Sequence, residues 1–251
     1  MAAQPLGNTR VLDRSLAGRR SGTWSASVAV KNGLHWGKCG EILVFLDEER
    51  GRYAALGPEA AALWEKLFGP SSSRGAGQEG WAGSDLCADD FDLLREARDL
   101  GWLVEGAAPE VSRPSTRPPK RHFLLMRAFW LLLRMQRLVG RCGLRHAYSA
   151  ARSYTREIRP SGPPKGVPLD LLLRRFRHAD RWVSSSLGAE DCLPRSLALF
   201  AFLRSGGLAV THHVGVAQFP FRAHAWVELD GAPLLEREGR TAAFVEIARL
   251  A

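Results

Sequence analysis

Cysteine is scarce and scattered in this chain of 251 residues. The four cysteines are Cys39, Cys87, Cys142 and Cys192, and no two of them form a C-x-x-C pair. Disulfide frameworks and zinc sites need paired or closely spaced cysteines, so this spacing argues against both, and we expect no metal and no cofactor. Each cysteine is then a single thiol, which is either a small buried apolar side chain or a nucleophile.

Long hydrophobic runs are missing as well. The longest uncharged apolar run in the middle of the chain is Ala128 to Leu133, far below the ~20 residues that a membrane-spanning helix needs. The N-terminus also lacks the compact apolar core of a secretory signal peptide. We therefore expect no membrane span and interpret the protein as cytoplasmic.

Acidic residues are rare in one segment. Residues 111–187 contain 17 Arg or Lys but only Glu157, Asp170 and Asp180, within a chain of formal net charge +9. Such a segment could contact nucleic acid, an anionic membrane surface or an acidic partner. Arginine-rich solvated helix faces give the same count, so the charge alone assigns no partner.

Composition divides the chain into two domains and predicts an α+β fold. Residues 1–24 are polar and aperiodic, and we predict a mobile N-terminus there. Residues 107–119 contain three prolines in their last six positions, which predicts a semi-rigid linker. The remaining parts, residues 25–106 and 120–251, are each long enough to bury a core.

The first domain is predicted to be winged-helix-like, with a three-stranded sheet and helices. Val28–Val30 and Leu34–Trp36 flank an Asn-Gly pair, which predicts a hairpin. Glu41–Asp47 and Arg52–Leu56 predict a second hairpin. Helices are predicted after Gly57-Pro58 and at about Phe91–Leu100.

The second domain is predicted to begin with an amphipathic helix. Phe123, Met126, Trp130, Leu133 and their neighbours form an apolar surface, with Arg127, Arg134, Arg137 and Arg141 on the other side. This surface either docks on the second domain, which we expect, or contacts a partner. Further elements are predicted at Leu171–Val183 (helix), Cys192 to about Ser205 (helix), and Val210–Gln218, Ala223–Leu229 and Pro233–Glu236 (strands).

Cys192 lies where the second of these helices begins. Asp191 can cap that helix, and Pro194 is tolerated only in a first helical turn. A helix N-terminus directs unpaired N–H groups and the positive end of the helix dipole at the sulfur, which stabilises a thiolate. The carboxylate of Asp191 opposes this effect, so a nucleophilic role for Cys192 needs a partner base.

His224 is the candidate base. It alternates with Trp226 and Glu228 along a strand, so the three side chains point to one face. Glu236 follows on the next strand, where its carboxylate could orient the imidazole as the third member of a triad. Glu228 and Asp230 are the alternatives for this role. Taken alone, His224 is equally a hydrogen-bonded, half-buried histidine, and Glu236 a solvated charge.

Three motifs of the second domain together carry a resemblance: Cys192–Ala198, His213–Val216 and Phe221–Glu228. As a set they resemble the lasso-peptide leader peptidases, a bacterial branch of the transglutaminase-like, papain-related cysteine proteases. The resemblance implies a papain/transglutaminase-like fold in which Cys192 is the nucleophile and His224 the base. The acidic third member of that family is usually aspartate, and Glu236 stands at the corresponding place.

The first domain is similar to the peptide-recognition domain that many systems modifying ribosomal peptides share, the RiPP recognition element, in Glu41–Asp47, Gly51–Tyr53 and Ala61–Trp64. The resemblance implies that a leader peptide adds as a strand to Arg52–Leu56, with the helix at Asp89–Leu100 as the other wall of the groove. The candidate groove residues are Tyr53, Ala55, Leu93 and Ala97.

We therefore expect a cysteine peptidase that binds the leader of a lasso-peptide precursor and hydrolyses the bond between leader and core. The resemblance implies a partner, an asparagine-synthetase-like cyclase that closes the ring with ATP. One rival is a transglutaminase-like acyl transfer to an amine. The other, a winged-helix nucleic-acid-binding protein, leaves Cys192 and His224 unexplained, so we expect no nucleic-acid partner.

Overall fold

The chain forms two compact α+β units, one built mainly from residues up to 112 and one mainly from residue 113 onwards. The computed structural model describes residues 10–12, 28–69, 88–105, 123–154, 167–187, 192–237 and 239–251. The predicted linker 107–119 and the capping residue Asp191 lie outside these ranges. None of the helices in the described ranges is both long and apolar enough to cross a membrane.

The described ranges of the first unit contain six strands and two helices. They are β1 (Arg10–Leu12), β2 (Val28–Val30), β3 (Leu34–Cys39), β4 (Ile42–Asp47), β5 (Arg52–Leu56), α1 (Pro58–Phe68), α2 (Ala88–Asp99) and β6 (Leu103–Glu105). Strands β3, β4 and β5 form the expected three-stranded antiparallel sheet. The predicted hairpin of β4 and β5 is therefore confirmed, as is a helix with proline in its first turn.

The first predicted hairpin is wrong. Strand β2 pairs with β6, far along the chain, instead of with β3. The Asn-Gly pair still makes a turn, with Gly33 at a φ of 84°, and the Leu34 N–H donates to the Lys31 carbonyl at 3.4 Å. On the N-terminal side of this turn the chain does not pair with β3. Instead, the Lys31 N–H donates to the carbonyl of Trp102, just before β6.

The N-terminal segment predicted to be mobile contains a strand. Residues 10–12 form β1, which pairs in parallel with β5 and gives the sheet the order β1-β5-β4-β3. This short pairing occupies the outer edge of β5. Alternating apolar residues were too few at residues 10–12 to indicate this strand, and the mobility of residues 1–24 stays a prediction.

Aromatic rings form the centre of the first unit's core. Phe45, at the middle of β4, stacks on Trp102 at 4.5 Å and meets Trp64 of α1 edge-on at 4.9 Å between ring centroids. Trp36 of β3 also meets Trp64 edge-on. Such pairs add to the apolar area that they bury, and they fasten α1 to the sheet.

The described ranges of the second unit contain four α-helices and four strands. They are α3 (Leu124–Arg137), which continues as a π-helical turn (Leu138–Cys142), α4 (Leu144–Ser153), α5 (Leu169–Leu187), α6 (Cys192–Ser205), β7 (Thr211–Ala217), β8 (Arg222–Leu229), β9 (Ala232–Leu234) and β10 (Val245–Leu250). The strands form an antiparallel sheet in the order β10-β7-β8-β9. The cysteine helix and the three predicted strands are confirmed, whereas α4 and β10 were not predicted.

Three residues of the apolar surface predicted at α3 do not dock as expected, and the alternative, contact with a partner, stays a prediction. Phe123, Met126 and Trp130 are 67%, 63% and 55% exposed, and the guanidinium of Arg134 lies over the Trp130 ring. The side chains that pack inward are Ala128, Leu131, Leu132 and Met135. Both faces of this helix carry apolar residues, so periodicity alone could not choose between them.

Helix α6 is buried on almost every side. Its residues from Ser196 to Arg204 are all buried, including two phenylalanines and three leucines. A helix that is apolar all round lies inside a domain. Because the core holds this helix on all sides, its first residue, Cys192, has a fixed place next to the sheet.

Candidate active site

Three elements bring the candidate triad together. Cys192 is the first residue of α6 and is partly exposed. His224 lies on β8, and Glu236 follows β9 in a bend. The Cys192 side chain is within hydrogen-bonding reach of the His224 imidazole. The Nε2 atom of His224 is 3.2 Å from Oε2 of Glu236, within ion-pair distance but without the alignment of a linear hydrogen bond.

The β8–β9 turn positions Glu236. Asp230 and Gly231 both have positive φ, 51° and 80°, as a tight hairpin turn requires. The turn returns the chain along β8, with Leu229 opposite Ala232 and Val227 opposite Leu234. Glu236 follows just beyond the end of this pairing, on the side of His224.

The imidazole of His224 is held in its charged form. Burial lowers the pKa of His224, but hydrogen bonds and charge interactions with Cys192 and Glu236 outweigh burial and raise that pKa to about 9. At neutral pH the ring therefore carries two protons. Because Nε2 faces Glu236, Nδ1 is the nitrogen left to exchange a proton with the thiol.

The carboxyl group of Glu236 is held in its charged form. Burial alone would raise the pKa of its carboxyl, but His224, Arg240 and Arg195 together lower that pKa below the ordinary value. Nε of Arg240 lies 3.6 Å from Oε2 of Glu236, and Arg195 is itself paired with Asp180 at 2.8 Å. Arg240, four residues after Glu236, was not among the predicted site residues.

The two alternatives for the acidic third position lie elsewhere. Glu228 accepts a hydrogen bond from Nε1 of Trp226 at 2.7 Å, and its other oxygen is 3.4 Å from Nε2 of His213. Asp230 occupies the β8–β9 turn. Of the three carboxylates weighed from the sequence, Glu236 is the one next to His224.

Aromatic rings enclose the imidazole of His224. Trp226 is near-parallel to it, with ring centroids 6.0 Å apart and planes 16° apart, and Phe244 lies 5.3 Å away. Gly215 makes room for these rings, since a Cβ at this position would come within 2.9 Å of both Trp226 and Phe244. These contacts link β8 with β7 and with Phe244, the residue before β10, and were not predicted.

A second histidine also contacts the Trp226 indole. His213 of β7 stacks on it at 5.5 Å with planes 12° apart. Nδ1 of His213 contacts Oε2 of Glu246 at 2.5 Å, and Nε2 contacts the hydroxyl of Thr211 at 2.7 Å. Glu246 belongs to β10, which was not predicted, so the sequence analysis missed this partner.

The neighbouring His212 points to the opposite face of β7 and anchors the cysteine helix. It is fully buried, and burial with the charge of His213 lowers its pKa to about 3, so the ring is neutral. Its Nε2 lies 2.9 Å from the hydroxyl of Ser196, which also contacts the carbonyl of Leu193 at 3.0 Å. This chain of contacts joins β7 to the first turn of α6.

The predicted groove residues of the first unit do not meet on one face. Leu93 and Ala97 of α2 are buried in the core, together with Ala54 and Leu56. Tyr53 and Ala55 alternate with those two residues along β5 and therefore face the other side of the sheet. The edge of β5 itself carries β1. The role of these four residues in leader binding stays a prediction.

Within the described ranges, no group of three or more His, Cys, Asp or Glu side chains is arranged to hold a metal ion.

This arrangement of a helix-start thiol, a strand histidine and a following carboxylate agrees with the family to which the chain is similar. Residues 123–249, just over half of the chain, match the transglutaminase-like superfamily. The chain belongs to this superfamily. No curated protein and no solved structure matches it. The family and the fold indicate a cysteine-protease or acyltransferase type of activity.

Proposed function

We propose that this protein is a cysteine peptidase that removes the leader from a ribosomally made lasso-peptide precursor. In this proposal the second unit hydrolyses the leader–core bond and the first unit captures the leader. The free amine then passes to an asparagine-synthetase-like cyclase. The family and the fold support thiol-based acyl chemistry, and the finer assignment depends on the motif resemblance.

One observation carries the catalytic part of the proposal. A thiol at the start of a buried helix, an imidazolium and a carboxylate lie in a row, with the imidazole raised in pKa to about 9 by its two neighbours. The thiolate form of a cysteine is the nucleophile, and a neighbouring imidazolium can supply the proton that the leaving nitrogen needs. The imidazole and the carboxylate are held in the charged states that this chemistry requires.

The first half-reaction forms a thioester. The Cys192 thiolate attacks the carbonyl carbon, and its electron pair forms the new C–S bond. N–H groups at the start of α6, including that of Cys192, are the expected donors to the oxyanion. The His224 imidazolium then gives its proton to the leaving nitrogen as the C–N bond breaks, which releases the amine that begins the core peptide.

The second half-reaction restores the enzyme. His224, now neutral, takes a proton from water, and the resulting hydroxide attacks the thioester carbonyl. Collapse of the tetrahedral intermediate expels the Cys192 thiolate and releases the leader with a free carboxylate. The thiolate and the imidazolium are then again a pair, with Glu236 holding the ring through both steps.

Acyl transfer is the second candidate function. The same thioester gives an amide when an amine, rather than water, attacks it. The carboxylate-oriented imidazole would activate either nucleophile, so the triad does not discriminate between them. A peptide-capturing first unit on the same chain favours hydrolysis of a peptide, since tethering raises the local substrate concentration.

Mass spectrometry of the products tests both functions. The purified full-length protein is incubated with the precursor peptide encoded in the neighbouring reading frames, with and without added hydroxylamine. Hydrolysis gives leader and core fragments whose summed mass exceeds the precursor by one water. An intact precursor, or products seen only as amine adducts, would overturn the peptidase proposal, and the adducts would support acyl transfer.

A further inference from the structure

Trp226 is the link between the candidate triad and a second cluster of polar side chains. Its indole is near-parallel to two imidazole rings, that of His224 with centroids 6.0 Å apart and that of His213 with centroids 5.5 Å apart. We propose that Trp226 is a positioning residue, fixed by Glu228 and His213, that holds the His224 ring and stabilises its charged form. This proposal depends on the assignment of His224 under the proposed function.

The position of the indole is fixed on several sides. Its Nε1–H donates to Glu228, its face stacks on His213, and its six-membered ring covers Gly215. His213 cannot turn freely, because its two nitrogens contact Glu246 and Thr211. A carboxylate only accepts hydrogen bonds, so Nδ1 of His213 carries a proton toward Glu246.

The near-parallel indole also stabilises the positive charge of the His224 ring. The face of an indole carries negative potential and attracts a cation within about 6 Å of the ring centre. The His224 centroid lies at 6.0 Å, with the two planes only 16° apart. Donation from Nε1–H to a carboxylate makes the ring more electron-rich. Glu228 therefore acts on His224 through the indole rather than by direct contact.

Titration of His224 by NMR tests this role without any substrate. Wild type, Trp226→Leu, Trp226→Phe and Glu228→Gln are compared in the full chain, with the His224 signal assigned from a His224→Gln variant. We expect Trp226→Leu to lower the titration midpoint by about one pH unit, a tenfold loss of proton affinity. Trp226→Phe and Glu228→Gln should lower it by less.

Trp182→Leu is the matched control. Trp182 also contacts a histidine ring, that of His178 at 5.2 Å, but lies on α5, which carries none of the candidate triad. A residue that only fills space would change the melting temperature and leave the His224 midpoint in place. An unchanged midpoint in folded Trp226→Leu, or in Trp226→Phe if the leucine variant does not fold, overturns the proposal. The titration needs no substrate, so its result can be interpreted even if the protein does not cleave a precursor.

A different observation carries a second inference, which concerns the first unit. Strand β1 covers the outer edge of β5, with Arg10, Val11 and Leu12 opposite Ala54, Ala55 and Leu56. The geometry points to an exchangeable strand site at this edge: the chain's own residues 10–12 occupy it, and an extended peptide competes for the same backbone groups. Under the proposed function, that peptide is the leader.

The pairing is suited to exchange. It spans three residues and is parallel, whereas β3, β4 and β5 pair antiparallel over five or six. Parallel pairing is slightly weaker per residue, and peptides that add to sheet edges gain affinity from the main chain. A tethered segment competes at an effective concentration in the millimolar range, so it would mask the edge from weakly binding peptides.

A fluorescent synthetic peptide of residues 5–16 probes the edge directly. Its binding is measured to wild type, to a variant lacking residues 1–16, and to full-length Val11→Pro, which removes a backbone N–H from β1. We expect both variants to bind at least about ten-fold tighter than wild type, and a scrambled peptide to bind none of them. Equal binding to wild type and to folded variants overturns the inference. The measurement uses neither thiol nor precursor, so it stands apart from the peptidase assay.

Discussion

Each unit of this protein contains a histidine paired with a glutamate, buried Glu48 in the first unit and half-buried Glu236 in the second, and the two pairs differ in their surroundings. In the first unit, Nε2 of His35 lies 2.7 Å from Glu48, beside the turn at Gly33. In the second unit, Nε2 of His224 lies 3.2 Å from Glu236. The second pair also faces the thiol of Cys192 at the start of a helix. A histidine–glutamate pair thus indicates a candidate catalytic site only where a nucleophile lies next to the histidine.

Removal of the nucleophile tests the difference between the two histidine–glutamate pairs. We expect Cys192→Ala to lower kcat/KM for precursor cleavage by at least about 10⁴-fold, because no other group in the triad can form the thioester. Leader binding, measured by fluorescence anisotropy, should stay unchanged. Cys142→Ala removes an exposed thiol from the same unit and should cleave like wild type. Wild-type cleavage by Cys192→Ala would contradict the mechanism.

A second test exchanges histidine for glutamine in each pair. His224→Gln should reduce kcat/KM by about 10²- to 10⁴-fold, since glutamine cannot transfer a proton. His35→Gln should leave kcat/KM unchanged and lower the free energy of unfolding by about 1–3 kcal/mol, because Glu48 is buried and loses its contact with the His35 ring. Kinetics and urea unfolding of the two variants separate the effects. Equal losses of activity would remove the distinction between the two pairs.

The second pair could be found from the sequence because its elements form from local signals. Pro194 marks the first turn of α6, period-two alternation marks β8, and the Asp-Gly turn returns the chain toward His224. These local preferences agree with the tertiary structure, so Cys192, His224 and Glu236 came together as expected. Their catalytic roles stay predictions.

The elements that were missed depend on pairing between distant parts of the chain. Strand β2 pairs with β6 rather than with its neighbour, and β10 joins β7 and supplies Glu246. Strand propensity reports a half-buried surface rather than a partner. The choice of face on α3 failed for a related reason, since only the packed core distinguishes Leu131 from Trp130.

The third prediction concerns the acidic member alone. We expect Glu236→Gln to reduce kcat/KM by about 10- to 100-fold, the usual effect of losing a partner that orients a histidine. Glu236→Asp, which keeps the charge on a side chain shorter by one methylene, should recover part of this loss. Steady-state kinetics decide between the carboxylates. Full activity in Glu236→Gln together with an inactive Glu228→Gln would assign the third role to Glu228.

The pH dependence of two reactions distinguishes the role of the Cys192 thiolate from that of the His224 imidazolium, and here we expect the smallest change. The pKa of His224 is raised to about 9, so its stabilising contribution to the fold is complete below the unfolded pKa of about 6.5 and is lost as the pH rises through 9. Cleavage needs the imidazolium to protonate the leaving amine, so kcat/KM should fall to about half near pH 9. Alkylation of Cys192 by iodoacetamide needs only the thiolate and should not fall there. Parallel loss of cleavage and alkylation above pH 9 would mean that the protein unfolds, and constant cleavage would mean that His224 is not the proton donor.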